Sequence, residues 1–504
     1  VYTAGVKPLE KINDWLWELP ASYKPGMRVP GRIYASEEML SHIVGDNALE
    51  QVANVAFLPG IQKYSLAMPD IHWGYGFPIG GCCATDPNEG GVVSPGGVGY
   101  DINCGVRLMR TNLRQEEVAP RIKELVAQLF RDIPCGLGRG SDLKLSFADE
   151  KKCVRQGAHW AVEHGFGDAA DLDFIEERGR LADAEPSLIT ERALERGKGQ
   201  VGSLGSGNHF LEVQVVDEVF DPHAAEVMGL ALGGITVMIH CGSRGFGYQV
   251  CDDYLKVLRN APAKYGIALP DRQLVSAPVR SPEGEEYLSS MRCAANYAFA
   301  NRQVLMAKTR QAFERVLRIS PKELGMELVY DVPHNIAKLE EHRVGDPISV
   351  IGDRPKPVTS HQPPVTKLLC VHRKGATRAF PPGHPSLPAR YRGIGQPVLV
   401  PGDMGRYSFV LVGTTGAMDQ TFGTVCHGAG RMMSRARATK EHSFEELRRR
   451  MAEAGVYMMA QGHGTALEEA PWAYKDVENV VNVCHNAGLA RKVARLRPLG
   501  VVKG

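Results

Sequence analysis

Two hydrophobic patterns alternate along the chain: apolar residues at helical spacing, and short unbroken apolar runs that end in a polar residue and a glycine. "SEEMLSHIVGDNALEQVANVAFL" opens on Ser36 as an N-cap, with acids behind it and helical periodicity broken near Gly45. The same periodicity predicts helices over 116–130, 148–163 and 187–196. The longest runs over Pro282–Leu317 and reads as a buried scaffold helix or a helix pair. "IGGCCATD" and "VRLMRTNL" predict strands on either side of the glycine loop "VSPGGVGYDINCG". Further strands share one ending. "ITVMIHCGSRG" closes on His240, "ELVYDVPHN" on His334 and "KLLCVHRKGATR" on His372, while "HFLEVQVV" starts on His209. Strand ends are where a rigid sheet aims side chains into loops, so these histidines are expected to share one centre. Residues 345–365 are proline-rich and read as a surface insertion. No repeat or compositional break divides the chain, and the expectation is one α+β domain over 1–504 with mixed sheets around a cleft.

Composition narrows the classes. Of 504 residues, 43% are hydrophobic and 23% charged, ordinary values for a globular protein. No apolar run approaches the ~18–20 residues of a membrane span, and "VYTAGVKPLEKINDW" lacks a signal pattern. Eleven scattered cysteines without framework spacing read as reduced thiols, so a cytoplasmic setting is expected. The net charge of +2 advertises no nucleic-acid partner by itself. From Arg431 onward, however, cations outnumber acids, which permits a polyanion.

Candidate chemistry lies in the glycine loops. Asp101 and Cys104 in "GYDINCGVR" offer a carboxylate and a thiolate able to share an ion, although a capping Asp and a buried Cys explain the pair equally well. "GSGNHFLE" adds Asn208, His209 and Glu212, with His209 a candidate ligand and the other two candidates for a nucleotide's phosphate and ribose. Cysteine with several histidines suits zinc, while the carboxylate also admits manganese. There is no GxxxxGK[ST] and no KxDG, so neither a P-loop nor a lysine nucleophile of the usual nucleotidyl-transfer type is present. In "TFGTVCHGAGRMMSRARA", His427 precedes a glycine turn read as the start of a helix bearing Arg431 and Arg435 on one face. Imidazole is a competent nucleophile at neutral pH, a helix start attracts phosphate, and arginines can clamp it. Arg244 in "CGSRGFG" has a similar glycine setting.

Together "MPDIHWGYGFPIGG", "SPGGVGYDINCGVRLMRTNL", "LGSGNHFLEVQVVDEVF", "VMIHCGSRGFGYQV", "YDVPHNIAK", "VHRKGATRAFPPG", "FGTVCHGAGRMMSRARA" and "EEAPWAYKDVENVVN" resemble the RtcB family of RNA-splicing ligases over nearly the whole chain. The resemblance implies a GTP- and Mn²⁺-dependent ligase joining an RNA 3′-phosphate or 2′,3′-cyclic phosphate to a 5′-hydroxyl, with an archease-type activator as a partner. It implies His427 as the guanylylated residue, Asp70 as its orienting acid, and Asp101, Cys104, His209, His240 and His334 as ligands of two Mn²⁺ ions with Cys104 bridging. It implies nucleotide contacts from Asn208, Glu212, Asn335, Ser408, Gly428, Ala429, Gly430, Tyr474 and Lys503, with Tyr474 on the guanine. Arg244, Arg431 and Arg435 are then expected on phosphate or RNA. The chain departs from the family pattern at Asp403, where a small hydroxyl residue is usual beside guanine, and at Cys241, Tyr248 and Pro333. Asp403 is expected to accept from the base. The insertion suggests a bacterial rather than an animal member, and a monomer is expected. The same ligands without covalent chemistry would serve a dinuclear phosphoesterase or nuclease acting on RNA, and the arginines alone a binding scaffold.

Overall fold

A computed structural model of the chain describes residues 8–136, 138, 140–345 and 365–504. The expected insertion therefore lies, apart from its two end residues, outside the described residues. Two large sheets carry the fold. The first has seven strands in the order Glu10–Asn13, Leu16–Leu19, Gly31–Tyr34, Ser65–His72, Ile79–Thr85, Val365–Lys374 and Asn335–Val344. Its pairings are antiparallel except that Gly31–Tyr34 runs parallel to Ser65–His72. The second runs Glu327–Pro333, Gly105–Arg114, Gly234–Cys241, Phe210–Val219, Ala490–Lys503, Ser408–Gly413 and Pro397–Val400, and Tyr457–Ala460 pairs parallel to its long strand Ala490–Lys503. These strands are rich in valine, isoleucine and leucine and are mostly buried along their length, as strands covered on both faces must be. The architecture is α+β with mixed sheets, as the hydrophobic pattern predicts.

Pro282–Leu317 is one continuous helix rather than a pair. Ser281 caps it by accepting from the Gly284 amide, Pro282 occupies the first turn, and Arg318 ends it in the left-handed region. Its middle is largely apolar, with Asn296 and a polar cluster of Asn301, Arg302 and Gln303 fully buried in it. Arg302 holds Asp331 by two hydrogen bonds of 2.8 Å and donates to the carbonyls of Asn103 (2.8 Å) and Cys241 (2.9 Å). Asn301 accepts from the Gly202 amide and donates to the Gly242 carbonyl. The helix thus ties together the loops that carry Asp101, Cys104, His209 and His240.

The other predicted helices are shorter than their periodicity suggests. Pro120 divides 116–130 into Gln115–Val118 and Ile122–Asp132 with a 3₁₀ turn between them. Gly157, at φ 63°, divides 148–163 into Phe147–Gln156 and Ala158–Glu163. Thr190 caps Glu191–Gly197, so 187–196 is a 3₁₀ turn followed by a helix. No helix among the described residues is long and apolar enough to cross a membrane.

Glu150 supplies a stability test away from the cleft. Neither of its buried carboxylate oxygens has a hydrogen-bond partner among the described residues, and burial pushes its carboxyl up to about 8. Between its ordinary value of 4.5 and 8, the folded chain keeps a proton that the unfolded chain has lost, so this group's contribution to stability falls as pH rises through that window. Glu150→Gln stays neutral. Its melting temperature should exceed the parent's by on the order of several degrees near pH 9, a gap that closes near pH 5 in paired thermal melts.

Candidate active site

Four neighbouring strands of the larger sheet alternate in direction, with Pro333 opposite Gly105, Val106 opposite His240 and His240 opposite Phe210. This register brings His334, Cys104, His240 and His209 to one end of the sheet from distant parts of the sequence. Cys104 Sγ lies 3.2 Å from His240 Nε2 and 3.5 Å from His209 Nε2. Asp101 Oδ2 lies 2.8 Å from His209 Nε2, and the Nε2 atoms of His240 and His334 are 3.3 Å apart. Two donor sets result, Asp101–Cys104–His209 and Cys104–His240–His334, each with its atoms within 4.8 Å of one another. Cys104 belongs to both.

The chemistry of these donors fits divalent cations. His209 Nδ1 lies 3.0 Å from the Leu204 carbonyl, to which it donates, so Nε2 faces Asp101 and Cys104. Burial pushes this imidazole down, but Cys241, Asp101 and Cys104 hold it well above the ordinary range, so a cation taking up this position would replace the Nε2 proton. Burial, reinforced by neighbouring positive groups, holds His240 and His334 well below the ordinary imidazole range, the neutral form that ligates metal. Acceptors turned towards one another at these distances repel unless a proton or a cation lies between them. Asp101 is aimed by the Ser243 amide, which donates to Oδ1 at 3.0 Å. Asn335 braces the same loop by donating to the Asp101 carbonyl at 3.1 Å.

Beside this centre opens a cleft of about 210 Å³. His427 stands in its wall, its ring centroid 4.7 Å from that of His334. Behind it lies Asp70, fully buried on the strand Ser65–His72. One oxygen, Asp70 Oδ2, accepts from His427 Nδ1 at 2.6 Å, the His427 amide at 2.9 Å and the Gly428 amide at 3.3 Å. Burial pushes the Asp70 carboxyl up, but the charge and hydrogen bonds of His427, with Lys475 nearby, hold it below the ordinary value. Nδ1 is thereby committed to Asp70, and Nε2 is the ring nitrogen left for the cleft. Gly430, at φ 73°, passes so close to the Asp70 carbonyl that a Cβ there would collide with it.

Asn208, Asn335, Asp403, Gly428, Ala429, Gly430, Arg431, Arg435, Tyr474 and Lys503 complete the walls. Burial brings the Lys503 ammonium down to about 8 despite Glu469 and Glu212. Asp403 is already engaged, accepting from Arg406 Nε at 2.5 Å and the Gly405 amide at 3.0 Å. Glu212 and Ser408 stand behind the wall, joined through Gln214, and Ser408 accepts from the Gly402 amide. Arg244 lies over Gly205, its Nη1 3.3 Å from His209 Nδ1.

The profile of the tRNA-splicing ligase RtcB family matches residues 51–504. The chain is also 51% identical over 498 residues to the tRNA-splicing ligase RtcB of Thermococcus kodakarensis, covering 99% of both chains. It is 53% identical to that of Archaeoglobus fulgidus and 49% identical to that of Methanococcus maripaludis, in each case over 98% of this chain and 99% of the relative. The chain belongs to the RtcB family. It is a ligase of that family.

Two sequence expectations need correction. His372 does not join the shared centre: its Nε2 accepts from the Ser94 amide and its ring packs beside Phe77, because its strand belongs to the other sheet. The segment after His427 is not a helix start. Residues 428–434 are irregular, and the helix Arg435–Glu441 begins only after its cap Ser434. Arg431 instead pairs with Tyr474 in an isolated bridge, and the two arginines meet on Glu469 rather than along a helix face. Glycines at 428 and 430 and the close approach to Asp70 favour an extended turn there.

Sequence reasoning passed over Glu469 and Lys475. Glu469, fully buried, accepts from Arg431 Nη1 (3.0 Å), Arg435 Nε (3.1 Å) and the Tyr474 hydroxyl, holding three cleft residues in place. Lys475 donates to the carbonyls of Pro69 (3.1 Å) and Ile71 (2.6 Å), on either side of Asp70. Both stand in "EEAPWAYK", but no spacing rule singles out a charge whose partners are far away in the chain.

Asp70→Asn tests the orienting role. An amide there cannot accept from His427 Nδ1 and both backbone amides with one full negative charge, so the ring loses its fixed tautomer. Transfer of a nucleotide to the protein should slow by about 10²–10⁴-fold, as with an orienting acid elsewhere, while circular dichroism stays unchanged.

Proposed function

We propose that the chain joins RNA ends bearing a 3′-phosphate or 2′,3′-cyclic phosphate to 5′-hydroxyl ends, using GTP and Mn²⁺, in tRNA splicing, RNA repair or both. The observation that carries this reading is the pairing of His427 Nδ1 with Asp70, which leaves Nε2 as a nucleophile in the cleft beside two metal-donor sets. His427 Nε2 attacks the α-phosphorus of GTP, the N–P bond forms and pyrophosphate leaves. An oxygen of the RNA 3′-phosphate then attacks that phosphorus and His427 departs, giving RNA-(3′)pp(5′)G. Finally the 5′-hydroxyl attacks the RNA phosphorus and GMP leaves. A cyclic phosphate is hydrolysed to the 3′-phosphate beforehand.

Asp101, Cys104 and His209 would hold one Mn²⁺, and Cys104, His240 and His334 the other. Bound there, divalent cations offset charge on phosphate oxygens during in-line displacement. Tyr474 offers a ring face to guanine and Asp403 a carboxylate to its N–H groups, while Asn208, Arg431 and Arg435 meet phosphate oxygens and Lys503 adds positive charge. Asn335 braces the Asp101 loop, Glu212 and Ser408 back the nucleotide wall, and Arg244 stands on the RNA side of the metal centre.

The test uses the unmodified protein with Mn²⁺ and GTP labelled in its α-phosphate. Label that is stable to base, lost in acid and confined to the peptide containing His427 is the expected result. Label on lysine, or none, overturns the reading. RNA cleavage without GTP would support the dinuclear phosphoesterase instead.

A further inference from the structure

The strand that supplies Asp70 brings a second imidazole to the same cleft. His72 closes the strand Ser65–His72, sits opposite Ile79 on the neighbouring strand, and lines the cleft with it. The turn that follows is fixed from behind. The Trp73 amide donates to Asp46 Oδ2 at 2.6 Å. The fully buried Gln51 donates to the Gly74 carbonyl at 2.6 Å and accepts from the Gly74 amide at 2.9 Å. Strand and turn together hold His72 on a rigid frame, the condition for a side chain that reads a ligand.

The two nitrogens of this ring differ. Nδ1 lies 3.0 Å from the Asp70 carbonyl, a group that can only accept, so Nδ1 carries the proton and donates. Nε2, on the far edge of the half-buried ring, has no partner among the described residues. Burial, with Lys475 and His427 adding to it, pushes this imidazole down to about 3 against the pull of its tie to Asp70. Near neutral pH Nε2 is therefore a lone pair. A group so low makes a poor general base, for which a value near the working pH is best. It suits a hydroxyl that donates a hydrogen bond and keeps its proton. Three other acceptors of the cleft are committed: Asp403 to Arg406 and the Gly405 amide, Glu469 to Arg431, Arg435 and the Tyr474 hydroxyl, and Asn335 to the Gly375 amide at 2.8 Å. Of what a nucleotide or an RNA end brings to His427, the phosphates only accept, and ribose hydroxyls are the donors that every such substrate carries whatever its base.

We propose that His72 Nε2 accepts a hydrogen bond from a ribose hydroxyl of the bound substrate, the guanosine's or that of the RNA terminal nucleotide, and so makes the cleft select ribose over deoxyribose. The inference rests on the RNA-ligase reading above. His72 forms no bond to phosphorus and holds no metal in this role.

The experiment removes the acceptor and the hydroxyl in turn, in the full-length parent, His72→Asn and His72→Gln. The amide nitrogen of asparagine takes the place of Nδ1 and keeps the tie to Asp70, but nothing in asparagine reaches the place of Nε2. The amide oxygen of glutamine does reach it. Protein labelling is measured in Mn²⁺ with α-labelled GTP, 2′-deoxy-GTP and 3′-deoxy-GTP. Sealing is measured with RNA 3′-phosphate ends whose terminal ribose has or lacks its 2′-hydroxyl. In the parent, one of these analogues should raise KM about fivefold, the weight of one neutral hydrogen bond, with kcat nearly unmoved. In His72→Asn the natural substrate should show that rise and the analogue no further one, and His72→Gln should restore the difference. A nucleotide analogue that behaves in this way puts the contact on guanosine, and the RNA analogue puts it on the strand. Analogue penalties of equal size in the parent and His72→Asn, or none in either, overturn the inference. So does a loss in His72→Asn that falls on kcat alike for every substrate, which would make His72 only a support for Asp70. If the parent itself neither takes up label nor seals RNA, it is the ligase reading that fails.

Discussion

His427→Ala is expected to take up no label from α-labelled GTP and to seal RNA at least about 10⁴-fold more slowly than the parent, the scale on which removal of a catalytic nucleophile acts. The fold should survive. Asp70 keeps its hydrogen bonds from the amides of residues 427 and 428, which do not depend on the side chain, and only the Nδ1 contact is lost. Mn²⁺ binding should also survive, because His427 belongs to neither donor set. The variant therefore separates covalent chemistry from metal binding. Labelled protein persisting in His427→Ala would place the nucleotide elsewhere, and GTP-independent RNA cleavage at the parent rate would make the centre a phosphoesterase.

How far the sequence reveals this site depends on whether a residue's role is local. Strand ends are local: an apolar run followed by His-Cys-Gly or His-Asn predicts a side chain aimed out of a sheet, and Cys104, His209, His240 and His334 are all found there. Which ends share a sheet edge is not local. His372 has the same signature as His240, but the strand order assigns it to the seven-stranded sheet, where a backbone amide satisfies it. The bounds of the helix Pro282–Leu317 are legible in its apolar period, whereas its being one helix and not a pair is not. Its function as the brace of the loops that carry the donor residues was hidden, since Arg302 inside a helix reads as a solvated charge until Asp331 and two loop carbonyls surround it. The turn after His427 misled for a related reason. Arg431 and Arg435 have helical spacing, but Gly428 and Gly430 permit an extended path, and the buried Glu469 draws both arginines to one point. Proline and glycine breaks at Pro120 and Gly157 were visible as residues, and their consequences were outweighed in the reading by periodicity on either side.

The same division applies to the wall of the cleft. Lys503 and Tyr474 come from elements that no local motif connects, and the family resemblance supplied them. The structure brings both to the cleft that His427 lines. The long strand Ala490–Lys503 sits beside Phe210–Val219 with Lys503 opposite Phe210, so the register that delivers His209 to the donor cluster also delivers Lys503 to the cleft.

Cys104→Ser should cost the protein both cations at once, and this follows from one atom belonging to two donor sets. In the absence of GTP and RNA, the parent is expected to bind two Mn²⁺ per chain, counted by equilibrium dialysis with electron paramagnetic resonance of the free ion. His209→Ala removes a donor from the Asp101 set only, and His240→Ala from the His334 set only, so each should retain one tight ion. The hydroxyl of serine, unlike a thiolate, does not lose its proton readily enough to bridge two cations, and Cys104→Ser should weaken both sites by about 100-fold or more and slow protein labelling by about 10³-fold. A stability readout independent of activity accompanies this. An ion that binds only the folded chain raises its stability by RT ln(1 + [Mn²⁺]/Kd), so added Mn²⁺ should lift the parent's melting temperature and leave that of Cys104→Ser nearly unmoved. Two ions bound by Cys104→Ser at parental affinity would show that the sites are independent. The bridging assignment would then fall, although the 3.2 and 3.5 Å approaches of Cys104 Sγ to the two imidazoles would still need another explanation.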